Sequence, residues 1–354
     1  MSNTKNPLFK DPEVQDRFDQ DGFVTLRVLE QEQVDELIQL YQQSSIKDEA
    51  GYGFFISMDN KDQALANKIM DRIYEIVLPK TDQHFQNAKA FTSSFVIKDP
   101  NPKGVVPIHQ DWTFVDNEGK FTSVTCWIAL VETTMENGAL GAIKGSHNFL
   151  PAVRPSPSPQ VVSPLRDLMF SLFPYVQLLP LQPGEAMIFD NRTFHASPPN
   201  TTDKPRLAVG LGFTQKEAQL VHYYLKSDGT ESKMLKYAIE KDFFKTYNNA
   251  RLSNMYNKGQ QIEGYTLLEE VAYSATTPDK ADLLEKVKAA GNAINGELIE
   301  RLAELFSYNL DGTKKTSESA NGQQETIESD NKPFWKVYTP YNIYREIKYR
   351  LTGR

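Results

Sequence analysis

Between residues 90 and 214 the chain is a succession of short β-rich runs separated by turn residues. Phe91 to Ile97 alternates, placing Thr92, Ser94, Val96 and Lys98 on one face of a strand. Further strand-like runs are Ser123 to Leu130, Leu140 to Lys144, Tyr175 to Leu181, Gly184 to Phe189 and Arg206 to Phe213. The Pro/Gly-punctuated stretch Asp99 to Pro107 and the turn Glu136-Asn137-Gly138 stand between them. Many short strands with frequent turns specify a sandwich, jelly roll or barrel. The expected fold is therefore mainly β with flanking helices.

One stretch inside this region carries chemistry. His109 and Asp111 stand two apart in Ile108-His109-Gln110-Asp111-Trp112. In a strand, residues i and i+2 project from the same face, so an imidazole nitrogen and a carboxylate oxygen can address one centre. These are two of the three donors of a 2-His-1-carboxylate site, which holds Fe(II) and leaves positions open for a co-substrate and O2. The third donor should come from far along the chain, and His195 in Asn191-Arg192-Thr193-Phe194-His195-Ala196-Ser197 is the candidate. A lone His-x-Asp recurs by chance and often sits in turns, so its weight comes from this setting.

Helices flank the β region. Residues 11–30 read as a helix broken at Asp21-Gly22 and followed by a strand. Glu30 to Ser45 carries Val34, Leu37, Ile38 and Tyr41 on one face. A further helix over 62–88 has Leu65, Ile69, Ile73, Ile76 and Val77 in register, with Pro79 expected to end or kink it. Residues 151–164 hold five prolines and read as a surface loop, a lid over a site. Met234, Tyr237 and Ala238, then Leu283 to Phe306, give 231–308 a helical reading. The expected division is a core with its N-terminal helices over 1–225, a helical region packed on it over 226–310, a polar flexible linker over 311–332 and a basic aromatic helix over 333–354.

Composition narrows the function classes. A net charge of −7 and the absence of a basic patch in the β region argue against nucleic acid as a partner. The single cysteine, Cys126, excludes an internal disulfide and reads as buried and inert. The first residues lack an apolar signal core, and no run approaches the ~20 apolar residues of a membrane span. The expectation is a cytoplasmic protein.

Three blocks resemble the phytanoyl-CoA dioxygenase family of Fe(II)/2-oxoglutarate oxygenases. They are Phe18-Asp19-Gln20-Asp21-Gly22-Phe23-Val24; His109-Gln110-Asp111-Trp112 with Trp127-Ile128-Ala129-Leu130 and Glu136-Asn137-Gly138-Ala139-Leu140 to Gly145-Ser146-His147; and Phe189 to Asn200 with Pro205-Arg206. The resemblance spans about residues 14–214. It implies a double-stranded β-helix, cupin-like core and iron held by His109, Asp111 and His195. It further implies 2-oxoglutarate as co-substrate, with Arg206 pairing its distal carboxylate. A guanidinium fork matches a carboxylate and stays charged at any working pH. Lys144 departs from the proline usual in the family before Gly-Ser-His, which alters a loop. Related halogenases replace the acid by a small residue, so Asp111 argues for C–H oxidation: hydroxylation, desaturation or epoxidation, with succinate and CO2 released.

Around that centre, Thr92, Lys98 and Ser197 are expected at the co-substrate, and Trp112 and Trp127 at the substrate. His147 reads as structural, and His84 and His222 have no assigned role. The expected substrate is a small molecule, acyl or lipid. Two other classes compete: an iron oxygenase that uses no 2-oxoglutarate, and a non-catalytic β-helix binding protein. In 333–354, Ile343, Ile347 and Leu351 share a helical face, while Lys336, Arg345, Lys348, Arg350 and Arg354 oppose only Glu346. Such a helix either lies on an anionic membrane or docks on an acidic protein surface. Equal liposome sedimentation by the full chain and by one ending at residue 332 would exclude the membrane.

Overall fold

A computed structural model gives the architecture. It describes residues 5–305 except 49, 103, 159, 230, 231 and 275; the expected linker and basic helix over 311–354 lie outside the described residues. The strands in chain order are β1 (Phe23–Arg27), β2 (Phe55–Ile56), β3 (Ala88–Lys98), β4 (Val106–His109), β5 (Val124–Ala129), β6 (Gly141–Ala142), β7 (Gln177–Leu178), β8 (Glu185–Asp190), β9 (His195–Ser197), β10 (Arg206–Gln215), β11 (Val221–Leu225), β12 (Lys233–Ala238) and β13 (Thr266–Ala272). The helices are α1 (Pro12–Asp21), α2 (Gln31–Ser44), α3 (Gln63–Thr81), α4 (Met169–Leu172), α5 (Phe243–Thr246), α6 (Asn249–Asn257), α7 (Lys280–Ala289) and α8 (Gly296–Leu305).

A six-stranded antiparallel sheet in the order β1-β8-β5-β10-β3-β2 is joined by a four-stranded sheet in the order β4-β9-β6-β7. This is the double-stranded β-helix the sequence led us to expect. Strand periodicity divides the central strands of the larger sheet between two jobs. Phe95 and Ile97, Val124, Cys126 and Ile128, Ile188, and Leu207, Val209 and Leu211 pack in one cluster with Val34, Leu37, Ile69, Ile73 and Val77 of α2 and α3. Their neighbours Thr92, Ser94, Val96, Thr125, Trp127, Phe189, Arg206 and Gly210 face a cavity on the other side. The helices thus seal one face of the sheet and leave the other for chemistry. Burial holds Cys126 as a neutral thiol.

The N-terminal elements follow their local signals. Asp11 caps α1 by accepting from Glu13 N–H, Pro12 opens the helix, and Gly22 ends it at φ +82°. Pro79 does not stop α3, which runs on to Thr81.

The region after 215 differs from its helical reading. Met234, Tyr237 and Ala238 lie in β12, which pairs with β11 and β13 in a separate three-stranded sheet. The expected boundary at 225/226 therefore falls inside a hairpin. Met234, Leu235 and Tyr237 are buried on both faces of β12, and its lysines, Lys233 and Lys236, stand three apart, so the period-2 signal is lost. Further on, α7 and α8 do pack on the core: Leu283, Val287 and Leu298 meet Ile108, Ile143, Phe194 and Ala196 on the smaller sheet. Among the described residues no helix is long and apolar enough to cross a membrane.

Candidate active site

The pairing of β4 with β9 sets His109 opposite His195, with ring centroids 4.1 Å apart. Asp111 is positioned differently from the sequence argument. Strand β4 ends at His109, so strand alternation does not place the carboxylate. Instead Asp111 N–H donates to the Asn191 carbonyl at 2.8 Å. Its Oδ2 accepts from Thr125 Oγ1 and Asn191 Nδ2, both at 2.9 Å. That leaves Oδ1 turned to the histidines, 3.8 Å from His109 Nε2 and 3.6 Å from His195 Nε2. One donor atom from each of the three residues lies within 4.8 Å of the others.

The protonation states suit a cation. His109 Nδ1 lies 2.8 Å from the Pro107 carbonyl and His195 Nδ1 lies 2.9 Å from the Thr193 carbonyl. A carbonyl only accepts, so both Nδ1 atoms carry the proton and both Nε2 lone pairs face the centre. Burial, with His109 adding to it, pushes His195 down to about 4, which keeps it neutral at working pH. Burial alone would raise Asp111, but the two histidines and the Thr125 and Asn191 hydrogen bonds hold it below its ordinary value.

Arg206 lies in the same cavity, on the inward face of β10, and is 1% exposed. Its guanidinium stacks on Trp127 at 4.8 Å, and Nη1 donates to the Gly138 carbonyl at 3.1 Å. Nε and Nη2 are buried without a partner. Burial lowers its pKa to about 9, so it remains charged at neutral pH. A buried donor without a partner costs about 1–3 kcal/mol, more for a charged group. Two on one guanidinium fit a ligand carboxylate.

Most of the expected residues converge. Thr92, Ser197, Trp112 and Trp127 line the cavity with the triad and Arg206. Lys98 does not. It pairs with Arg206 in register but is fully buried, and its ammonium is engaged by Gly104 O at 3.0 Å, Ser197 Oγ at 2.6 Å and Pro198 O at 2.5 Å. Burial, reinforced by Arg206, holds its pKa well below the usual lysine range. The cavity measures about 860 Å³, and Phe54, Phe55, Met58, Phe91, Phe114 and Phe244 make much of its wall. The proline-rich 151–164 segment is a surface loop only in part: Pro151, Ala152 and Val162 are exposed, while Arg154, Pro155, Ser156 and Pro157 are buried and the segment lines the cavity. Sequence reasoning missed Thr125, Asn191, Gly138 and Arg154. Of these only Gly138, in a recognised turn, carried a signal.

The sequence signature described as phytanoyl-CoA dioxygenase (PhyH) matches residues 18–208, more than half of the chain. The chain belongs to the phytanoyl-CoA dioxygenase family. Its relatives include phytanoyl-CoA dioxygenase domain-containing protein 1 of Danio rerio, 32% identical over 124 residues that make up 34% of this chain and 43% of the relative. The Dictyostelium discoideum homologue of that protein is 25% identical over 163 residues, 44% of this chain and 55% of the relative. The chain thus spans about half the length of these relatives. Among solved structures, the non-heme alpha ketoglutarate dependent carbocyclase SnoK from nogalamycin biosynthesis aligns with TM-score 0.44 and 18% identity, covering 59% of this chain and 86% of that one.

Proposed function

We propose that this family member is an Fe(II)/2-oxoglutarate-dependent dioxygenase that oxidises a C–H bond of a small apolar substrate. His109, Asp111 and His195 hold the iron, and Arg206 holds the distal carboxylate of 2-oxoglutarate. When bound, iron and 2-oxoglutarate together supply the activation of O2, with succinate and CO2 as co-products. The chain's own residues do the rest. Pro107 and Thr193 carbonyls fix the imidazole tautomers. Thr125 and Asn191 aim the carboxylate. Trp127 and Gly138 hold the guanidinium plane, and Lys98 holds the Ser197 hydroxyl, which lines the same cavity.

One observation carries this reading: Arg206 presents two unpartnered, buried donors in the cavity where the triad converges. It favours 2-oxoglutarate use over an oxoglutarate-independent iron enzyme. The aromatic wall and the volume of the cavity support a small apolar substrate, such as an acyl or lipid molecule. The carboxylate at position 111 occupies the place that a halide would need, which supports hydroxylation over halogenation. The test is anaerobic addition of Fe(II) and 2-oxoglutarate to metal-free protein, followed in the visible range. A charge-transfer band in wild type that His195→Ala abolishes is the expected result. Bound iron without a band would favour the oxoglutarate-independent reading, and no bound iron would overturn the enzyme assignment.

A further inference from the structure

Asp111 sits just beyond the end of β4, where no strand ladder fixes its main chain. Its N–H is held by Asn191. Its carbonyl is held by a residue from the proline-rich wall: Arg154 Nε donates to Asp111 O at 2.6 Å. The contact is reinforced on both sides. Arg154 N–H donates to Thr113 Oγ1 at 3.1 Å, and Thr113 N–H donates to the Arg154 carbonyl at 3.0 Å. The remaining guanidinium nitrogens are tied to the Glu118 carboxylate and to Ala152 O. Arg154 is only 8% exposed, and the Glu118 side chain 17%.

We infer that Arg154 is a positioning residue: it fixes the Asp111 main chain for metal binding and ties it to the cavity wall over 151–164. The physical grounds are geometric. A fork whose far side is anchored by Glu118 cannot swing, so its Nε is a fixed donor. Ala152, Val153, Arg154 and Pro155 all line the cavity. An occupant pressing on that wall therefore presses on the segment bonded to the metal-ligand carboxylate's own backbone. A partner that orients a metal ligand typically contributes 10–100-fold in affinity. The inference rests on the metal-site reading above.

The experiment uses the full chain and Co(II), followed by its d–d absorption, with Fe(II) plus 2-oxoglutarate as a second probe. Arg154→Gln should lower Co(II) affinity at least about tenfold and shift the charge-transfer band. Glu118→Gln, which keeps Arg154 but frees its fork, should lower affinity by a smaller factor. Arg154→Lys should not restore it. Val34→Ala, on the buried face of α2 in the helix-side core, supplies a variant of lowered thermal stability with the metal site untouched. Metal affinity unchanged in Glu118→Gln and in Arg154→Gln overturns the inference, as does an equal loss in Val34→Ala. If Arg154→Gln does not fold, Glu118→Gln against Val34→Ala decides alone. No Co(II) binding by wild type overturns instead the metal-site reading on which the inference stands.

Discussion

At the scale of single residues, the site separates groups whose chemistry limits the choice of side chain from groups whose role depends on tertiary contact. That His109, Asp111 and His195 converge, with Arg206 in the same cavity, was legible because few side chains can donate to iron or match a carboxylate with a planar fork. Thr125, Asn191 and Arg154 were not, since an ordinary polar residue reveals its partner only after folding. Lys98 shows the converse error. It lies on the predicted strand face, but four carbonyl and hydroxyl oxygens engage its ammonium. The fork is the testable point. Arg206→Lys keeps the charge but loses the second donor and the flat contact with Trp127. Titration of the charge-transfer band should show 2-oxoglutarate affinity reduced at least about tenfold, the equivalent of ~1.4 kcal/mol, with Co(II) affinity unchanged. Equal affinities for wild type and Arg206→Lys would remove Arg206 from the co-substrate site.

At the scale of elements, the two-sheet frame was readable wherever one strand face met the helices and the other met the cavity. The reading failed where both faces are covered. In β12, Lys233 and Lys236 stand three apart among apolar residues and mimic helical spacing, and the middle of the proline-rich segment is buried wall although its Pro151, Ala152 and Val162 are exposed. The turn before β6 connects element geometry to the site. Gly138 has φ +82°, and its carbonyl accepts from Arg206. A Cβ at this position would fall 2.5 Å from Lys98 Cδ and 2.7 Å from the Pro198 carbonyl. Neither neighbour is free to retreat, because Lys98 is itself bonded to Pro198 O. Gly138→Ala should therefore cost about 1–3 kcal/mol in urea unfolding and also weaken 2-oxoglutarate binding, by disturbing the carbonyl that holds Arg206. A loss of stability with unaltered 2-oxoglutarate affinity would show that the turn supports the fold alone.

At the scale of the whole molecule, enclosing a cavity between two sheets and a helical cover buries titratable groups that are not part of its chemistry. Burial is the main reason His147 is lowered to about 4 and His222 to about 3. Histidine in the unfolded chain titrates near 6.5. Both groups thus bind protons more readily unfolded than folded, so their contribution to stability is complete above pH 6.5. It is lost as pH falls from there towards the folded values, at about 1 kcal/mol per pH unit for each histidine. Asp59 works in the opposite sense: burial raises it to about 6, so the folded state holds the extra proton between pH 6 and 3.8 and part of the loss is offset. Urea unfolding at pH 7.5 and pH 5.5 should give a protein less stable at the lower value. His222 is the cleaner probe, since it is 1% exposed, packs against Trp112 and Phe243, and has one ring nitrogen without a partner. Phenylalanine has nearly its shape and no proton to take up. The stability difference between the two pH values should shrink by about 1 kcal/mol in His222→Phe. An unchanged difference would mean that His222 is protonated to the same extent folded and unfolded, and that the cover over the cavity admits water to it.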